Sequence, residues 1–498
     1  MDVFGGIVTG FQTVLNPVNL LFCFGGVFIG TLVGVLPGIG PVGAMSILLP
    51  TTYGLSPVSS IIMLAGIFYG AMYGGSTTSI LVNIPGEAAS VVTCLDGYQM
   101  ARKGRAGPAL GISALGSFIG GTFSIFALVF LVFPLAQIAL EFGPPEYFSI
   151  IFMSMIILTY LASGSFAKAL IMVFIGLLLG TVGIDSVSGV ARFSFGSTSL
   201  LDGMGLVPVA MGLFGISEVL SNLEVEIKRS IFDTRIKQLL PTLQDWRRSI
   251  GPIIRGSFIG FFLGVLPGPS PIVSSFLSYS VEKKISKNPG EFGQGAIEGV
   301  AGPETANNAA TGGSFVPLLA LGIPPNVSMG ILLGALMIHN ITPGPLLISQ
   351  HPDVFWGLIS SMYLGNIMLV LLNLPLIGIW VKVLKIPYRL LMPLILLCCL
   401  IGAYSISNNV VDIIIMVVFG IVGYILRKFD YEMAPLILAF VLGPMLEKHF
   451  RTSLIMSDGN LLVFLERPIS CVTLVISALL LISTGFSYYR RMKVKVIT

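Results

Sequence analysis

The sequence predicts an all-α polytopic membrane protein built from two inverted-topology repeats, each containing a re-entrant or broken helical hairpin. Composition is the first observation: 54% of the 498 residues are hydrophobic and 10% are charged, and the mean hydropathy is +0.94. A soluble chain carries about 25% charged residues. Secondly, apolar runs of about 20 residues recur along the chain, which predicts about 10–14 membrane-embedded segments. The third observation is a motif that occurs twice.

The repeated motif reads FIGTLVGVLPGIGP from Phe28 to Pro41 and FIGFFLGVLPGPSP from Phe258 to Pro271. Nine of the fourteen positions are identical, at an offset of 230 residues. Each copy is an apolar helical run that stops at Pro-Gly and is followed by a second apolar run. Such a break is costly in lipid unless it lines a cavity. Its occurrence at matching places in both halves indicates the binding site of a transporter.

Four parts are expected along the chain. Residues 1–221 form the first inverted repeat, with its hairpin at about 25–53, and residues 222–250 form a charged cytoplasmic linker. A surface helix that packs on the membrane or on a partner is the alternative interpretation of this linker. Residues 251–450 form the second repeat, with its hairpin at 255–281, and residues 451–498 form an extra transmembrane helix and a basic tail. The other predicted spans are 58–83, 109–133, 148–164, 168–184, 204–221, 327–349, 354–381, 390–404, 409–426, 433–447 and 469–488.

Loop charge predicts the topology. Basic residues flank the second hairpin on both sides, from Arg247 to Arg255 and from Lys283 to Lys287, whereas the first hairpin has none. Because basic loops stay in the cytoplasm, the two hairpins are expected to enter the membrane from opposite faces. Arg490 and the basic residues after it predict a cytoplasmic C-terminus. The net charge of +4 comes from such loop clusters and does not indicate nucleic-acid binding.

The hairpin tips suit two kinds of ion. A helix that ends near Leu36 or Leu266 presents free carbonyl groups to a small cation, and a helix that begins at Pro41 or Pro271 presents N–H groups to a carboxylate. A mere kink packed against neighbouring helices is the alternative. The predicted substrate-binding residues at the tips are Gly38, Ile39, Gly40, Pro41, Gly268, Pro269 and Ser270.

Two Gly-Gly-Ser segments place hydroxyl groups beside backbone that is expected to be flexible. Hydroxyl groups can bind an anion or sodium without bringing a net charge into the membrane. Close packing of small residues and helix capping are the alternatives. Ser76, Thr77 and Ser314 join the substrate-binding candidates. The cation-coupling candidates are Leu36, Thr78, Thr305, Asn307, Asn308 and Thr311. Glu87 and Glu304 either take part in proton or sodium coupling or lie at the interface. No metal other than sodium is expected, and no cofactor.

Residues 1–101 and 288–381 contain neither Lys nor Arg, although they hold the first hairpin and both Gly-Gly-Ser segments. An anionic substrate bound there would depend on backbone N–H groups, hydroxyl groups and a co-bound cation. The sequence therefore predicts symport of an anion with a cation.

Three segments carry a resemblance to a known family. They are GVLPGIGP at 34–41, the stretch from YGGSTTSILVNIPG to ARKGRAGPALG at 73–111, and GPETANNAATGGSFVPLLALGIPP at 302–325. In these the chain resembles the large membrane subunit of tripartite tricarboxylate transporters, the TctA family. One departure is Pro325, where the first half has Gly86.

The resemblance implies an inner-membrane secondary transporter that imports di- or tricarboxylates or related organic acids by sodium or proton symport. It also implies two partners, a small membrane subunit and a periplasmic solute-binding protein that delivers the substrate. An ion or solute channel is the alternative, because broken helices also build selectivity filters. An enzyme is not expected, because His339, His351 and His449 lie in no obvious arrangement with a nucleophile.

Overall fold

A computed structural model describes residues 3–36, 39–161, 165–185, 187–224, 239–384 and 388–497. These residues are almost entirely helical; within them, strand is limited to the antiparallel pair β1 (Gly183–Ile184) and β2 (Ala191–Arg192). Eight of the described helices are long and apolar enough to cross a membrane. The structure therefore confirms the prediction of an all-α polytopic membrane protein.

The helices before the charged segment follow the predicted spans closely, and several begin at sequence caps. Asn16 and Ser56 cap two of them, each with Pro at the next position. In chain order they are α1 (Val3–Val14), α2 (Pro17–Val35), α3 (Gly40–Leu48), α4 (Pro57–Val82), α5 (Val91–Arg102), α6 (Ala106–Ala139), α7 (Pro144–Leu161), α8 (Phe166–Gly180), α9 (Leu206–Ala210) and α10 (Ser217–Glu224). A π-helical turn, Met211–Ile216, joins α9 to α10.

The first helix after the charged segment starts earlier than the sequence suggested, while the later predicted spans begin within two residues of the expected positions. Thr242 and Asp245 form a reciprocal capping box, so the first helix begins at Leu243, inside the predicted linker. The rest of that linker, residues 225–238, lies outside the described residues. In order the helices are α11 (Leu243–Val265), α12 (Ser270–Ile285), α13 (Glu298–Gly313), α14 (Phe315–Leu321), α15 (Val327–Ile338), α16 (Leu347–Gln350), α17 (Pro352–Asn373), α18 (Ile377–Val383), α19 (Tyr388–Ser407), α20 (Val410–Lys428), α21 (Met433–Met456), α22 (Val463–Glu466) and α23 (Pro468–Ile497).

Helix α2 packs on α4, and α11 packs on α13, through glycines spaced four residues apart. A Cβ atom on Gly34 would lie 2.3 Å from the carbonyl oxygen of Ala71, and one on Gly264 would lie 2.4 Å from that of Ala310. Gly26 and Gly30 approach α4, and Gly256 and Gly260 approach α13, in the same way. Only glycine permits such close backbone contact, so these two helix pairs use one packing device.

Both copies of the repeated motif break where the sequence predicted. Helix α2 ends at Val35 and α3 starts at Gly40, while α11 ends at Val265 and α12 starts at Ser270. Arg255 on α11 forms a bidentate ion pair with Glu282 on α12, at 2.8 and 2.5 Å. Helices α11 and α12 therefore lie side by side and run in opposite directions from their shared tip.

Candidate functional site

A cavity of about 280 Å³ brings the two hairpin tips together. The first tip contributes Gly40, Pro41 and Val42 to its lining. The second tip contributes Gly268, Pro269, Pro271 and Ile272. Apolar side chains from α4, α7 and α21 complete much of the wall. The remaining lining residues are Phe68, Met72, Glu87, Ala88, Leu158, Asn326, Val327, Ser328, Glu432, Ala434 and Leu438.

Three helices start at this cavity. Gly40 and Pro41 are the first two residues of α3, Pro271 is the second of α12, and Val327 and Ser328 are the first two of α15. The N–H groups of a first helical turn have no partners within the helix, and the positive end of the dipole lies there. None of the residues that line the cavity is Lys or Arg. The lining residues of the second tip bring no free N–H group, because each is a proline or donates to a backbone carbonyl. The arrangement therefore suits a carboxylate at the positive ends of the three helices, with backbone N–H donors from α3 and α15.

Glu87 and Asn326 occupy corresponding positions on the cavity wall. Glu87 follows Ile84-Pro85-Gly86, and Asn326 follows Ile-Pro-Pro at an offset of 239 residues. Each side chain caps the next helical segment: Glu87 accepts a hydrogen bond from the Ala89 N–H at 2.5 Å, and Asn326 from the Met329 N–H at 3.0 Å. The Nδ2 of Asn326 is buried without a hydrogen-bond partner. It is a free donor beside the cavity.

A buried polar cluster lies behind the cavity wall. Glu304 on α13 accepts hydrogen bonds from the hydroxyl groups of Ser76, at 2.5 Å, and Thr93. One helical turn further along α13, the Nδ2 of Asn307 donates to Glu87 Oε1 at 3.2 Å. The cluster therefore connects α4, α5 and α13 to a carboxylate that faces the cavity.

The predicted substrate-binding residues divide into two groups. Gly40, Pro41, Gly268 and Pro269 line the cavity, with Ile39 just before α3 and the Ser270 hydroxyl buried beside it without a partner. Gly38 lies outside the described residues. The others are away from the cavity lining: Ser76 contacts Glu304, Thr77 is buried within α4, and Ser314 donates to the carbonyls of Ala310 and Thr311.

The first Gly-Gly-Ser segment is not flexible backbone, because α4 runs through it without a break. The second marks the junction between α13 and α14. Small residues were expected to loosen the chain, but in α4 Gly74 and Gly75 serve close packing against α2 and Glu87.

Most of the predicted cation-coupling groups are already paired. Thr78 donates a hydrogen bond of 2.6 Å to the Val35 carbonyl, at the end of α2 next to Leu36. The carbonyl groups at this helix end were expected to be free to bind a cation, but this one is already paired. Thr305 and Thr311 donate to carbonyls of their own helix. Asn308 donates to the Ser117 hydroxyl at 2.8 Å.

Asn307 and Asn308 lie in the middle of α13 and therefore do not cap a helix end. Of the predicted cation-coupling residues, Asn307 retains an unpaired oxygen, Oδ1. Asn326, Ser328 and Glu432 line the cavity but were not predicted as site residues. The match between Ile-Pro-Gly and Ile-Pro-Pro in the sequence points directly at Asn326.

Comparison with known proteins gives the family. The tripartite tricarboxylate transporter TctA family matches residues 20–438. An Agrobacterium vitis protein named "Uncharacterized 52.8 kDa protein in TAR-I ttuC' 3'region" is 52% identical over 476 residues, which cover 96% of this chain and 95% of that protein. A second Agrobacterium vitis protein, named for the TAR-II ttuC' 3'region, is 56% identical over 211 residues, or 42% of this chain and 87% of that protein.

The protein MJ1079 of Methanocaldococcus jannaschii is 26% identical over 274 residues, which cover 54% of this chain and 62% of that protein. No solved structure matches the chain. The family match spans most of the sequence, and the first relative is more than half identical over nearly its whole length. The chain is therefore a large membrane subunit of the tripartite tricarboxylate transporter TctA family, a transporter of tricarboxylates and not an enzyme.

Proposed function

We propose that the protein imports di- or tricarboxylates, or related organic acids, by cation symport, and that the cavity between the two tips holds the substrate. One observation carries this proposal: the starts of α3, α12 and α15 meet at a cavity whose lining contains no Lys or Arg. Backbone N–H groups bind a carboxylate without a fixed positive charge. Release then requires no ion pair to be broken.

We further propose that residues 1–221 and 251–450 are inverted repeats and that both hairpins are re-entrant. The matched glycine packing of α2 on α4 and α11 on α13 supports a repeat. Asn83 and Gly322, which stand 239 residues apart, both end a helix in the left-handed conformation. The antiparallel arms of the second hairpin, joined by Arg255 and Glu282, support a segment that enters and leaves on one side.

The proposed partners are a small membrane subunit and a periplasmic solute-binding protein, in keeping with the word tripartite in the family name. We place the protein in the bacterial inner membrane, with residues 451–498 as an extra span and basic tail, and with its C-terminus in the cytoplasm. The basic residues from Arg490 onward support this orientation.

Ser328→Asp tests the substrate site. Asp is favourable in the first turn of a helix, so α15 should still form, but the new carboxylate would occupy the positive end that faces the cavity. We expect uptake of labelled citrate, by membrane vesicles that carry the full transporter, to fall at least about 100-fold because like charges repel. Val411→Asp, at the second position of α20, is the matched control.

Uptake by Ser328→Asp at the wild-type rate would place the substrate elsewhere. The same vesicles separate a carrier from a channel. A carrier should show saturable uptake driven by a sodium or proton gradient, whereas a channel should pass currents that do not saturate with substrate.

A further inference from the structure

Two buried carboxylates lie beside the proposed substrate cavity with no basic partner among the described residues. Glu87 is 7% exposed and Glu304 is 1% exposed. Their described hydrogen-bond donors are neutral: a backbone N–H group and an amide for Glu87, and hydroxyl groups for Glu304. A buried charge is costly unless an opposite charge accompanies it. The pair must therefore be protonated or be accompanied by a cation that the described chain does not supply.

Asn307 contacts Glu87, lies one helical turn after Glu304 and has an unsatisfied oxygen. Its Nδ2 donates to Glu87 Oε1, and it lies three residues after Glu304 on the same helix. The residue is 1% exposed, and its Oδ1 has no hydrogen-bond partner. A buried carbonyl oxygen without a partner is unfavourable. It is also the type of ligand that a hard cation prefers.

Glu87 belongs to this cluster and to the cavity wall at the same time. A negatively charged Glu87 would repel a carboxylate substrate in the cavity. Neutralising it would remove that repulsion. A cation at the cluster and an anion in the cavity would thus bind more tightly together than apart, which is the reciprocal coupling that symport requires.

We propose that Glu87, Glu304 and Asn307 hold the co-transported sodium ion, an inference that rests on the proposed function as a symporter. Sodium satisfies the Asn307 oxygen and both carboxylates together, because one metal ion binds several oxygen ligands. A proton on Glu87 would bind that carboxylate alone and would leave Glu304 without a shared counter-charge. The ion would lie next to the substrate and within reach of its charge.

Binding of radioactive sodium to the purified chain, with no carboxylate present, tests this site independently of the substrate. We expect wild-type protein to bind sodium, and Glu87→Gln and Asn307→Ala each to weaken binding at least about tenfold. Glu87→Asp, which keeps the charge but shortens the reach, should bind with intermediate affinity. Glu298→Gln is the control, because that carboxylate is paired with Arg248 outside the cavity. Elution as a single sharp peak in size-exclusion chromatography shows that each variant is folded.

If the wild-type protein does not bind sodium, the proposed sodium site is wrong. Carboxylate uptake would then have to be driven by protons. Unchanged affinity in folded Glu87→Gln and Asn307→Ala would also overturn it. Failure of the proposed function looks different, since citrate uptake would then be absent under either gradient even though sodium still bound.

Discussion

The two hairpin regions share their backbone design but differ in the charge they bring to the cavity. The first region, α2 to α4, and the second, α11 to α13, use the same glycine spacing and contribute one helix start each. At corresponding positions the first provides the carboxylate of Glu87 and the second provides the amide of Asn326. The shared backbone suits the anion. Of the two regions, only the first brings a negative charge to the cavity; the other lining carboxylate, Glu432, belongs to neither region.

The largest expected effect comes from the close glycine packing that both hairpin regions share. Gly34→Val and Gly264→Val would each drive a side chain into a backbone carbonyl, which cannot rotate away. Overpacking of this kind costs about 3 kcal/mol or more. We expect at least a fivefold loss of monodisperse protein in size-exclusion chromatography for both variants. Gly25→Val, in the same helix α2 but with nothing within 4 Å, should behave as wild type. Tolerance of only one of the two substitutions would mean that the regions do not pack equivalently.

The difference between Glu87 and Asn326 is tested by giving both positions a carboxylate. Asn326→Asp keeps an oxygen to accept from the Met329 N–H, so α15 stays capped, but it removes the free Nδ2 donor and adds a charge. We expect the apparent affinity for citrate in vesicle uptake to fall at least about tenfold, or about 1.4 kcal/mol. Asn409→Asp, which alters the equivalent cap of α20, should leave uptake unchanged. Equal affinity in wild type and Asn326→Asp would contradict a role in substrate binding.

A smaller effect on stability is expected from removing the ion pair that joins the two helices of the second hairpin. Glu282 is almost fully buried and pairs with the partly exposed Arg255, whereas no ion pair joins α2 to α3 among the described residues. Because Arg255 reaches solvent, Glu282→Gln should cost about 1 kcal/mol. We expect a lower melting temperature of the purified protein, by a few degrees, with exposed Glu141→Gln as the control. No change in melting temperature would show that glycine packing alone fixes the second hairpin.

The smallest effect concerns Asp185, which lies outside the candidate membrane spans and links the two halves. Arg451 of α21 and Ser188 donate hydrogen bonds to Asp185, and they hold the pKa of its carboxyl below the ordinary 3.8. A lowered folded-state pKa means that this stabilisation is complete above pH 3.8 and is lost as the pH falls below it. Asp185→Asn should therefore lower the melting temperature at pH 7 more than at pH 3. Equal losses at both pH values would rule out an electrostatic contribution.

The sequence predicted the helix breaks well because Pro and Gly act locally. The ends of α2 and α11 and the starts of α3 and α12 follow from the Pro-Gly step alone. The side-chain partners were harder to predict, since they depend on which helices meet. Small residues in α4 looked like flexible backbone, yet packing keeps that helix continuous. Asn326 was missed because its importance comes from a distant helix start, not from its neighbours in the chain.

The use of three helix starts has a consequence for how this transporter can change over evolutionary time. If backbone N–H groups hold the carboxylate, shortening any one side chain leaves the groups that recognise the charge in place. Phe68, Met72 and Leu158 are among the apolar side chains of the wall, and substitutions there would change which organic acid fits. Relatives should then differ in substrate through these apolar side chains while retaining the same Pro-Gly steps. New substrates would be accessible by small changes that leave the binding of the charge intact.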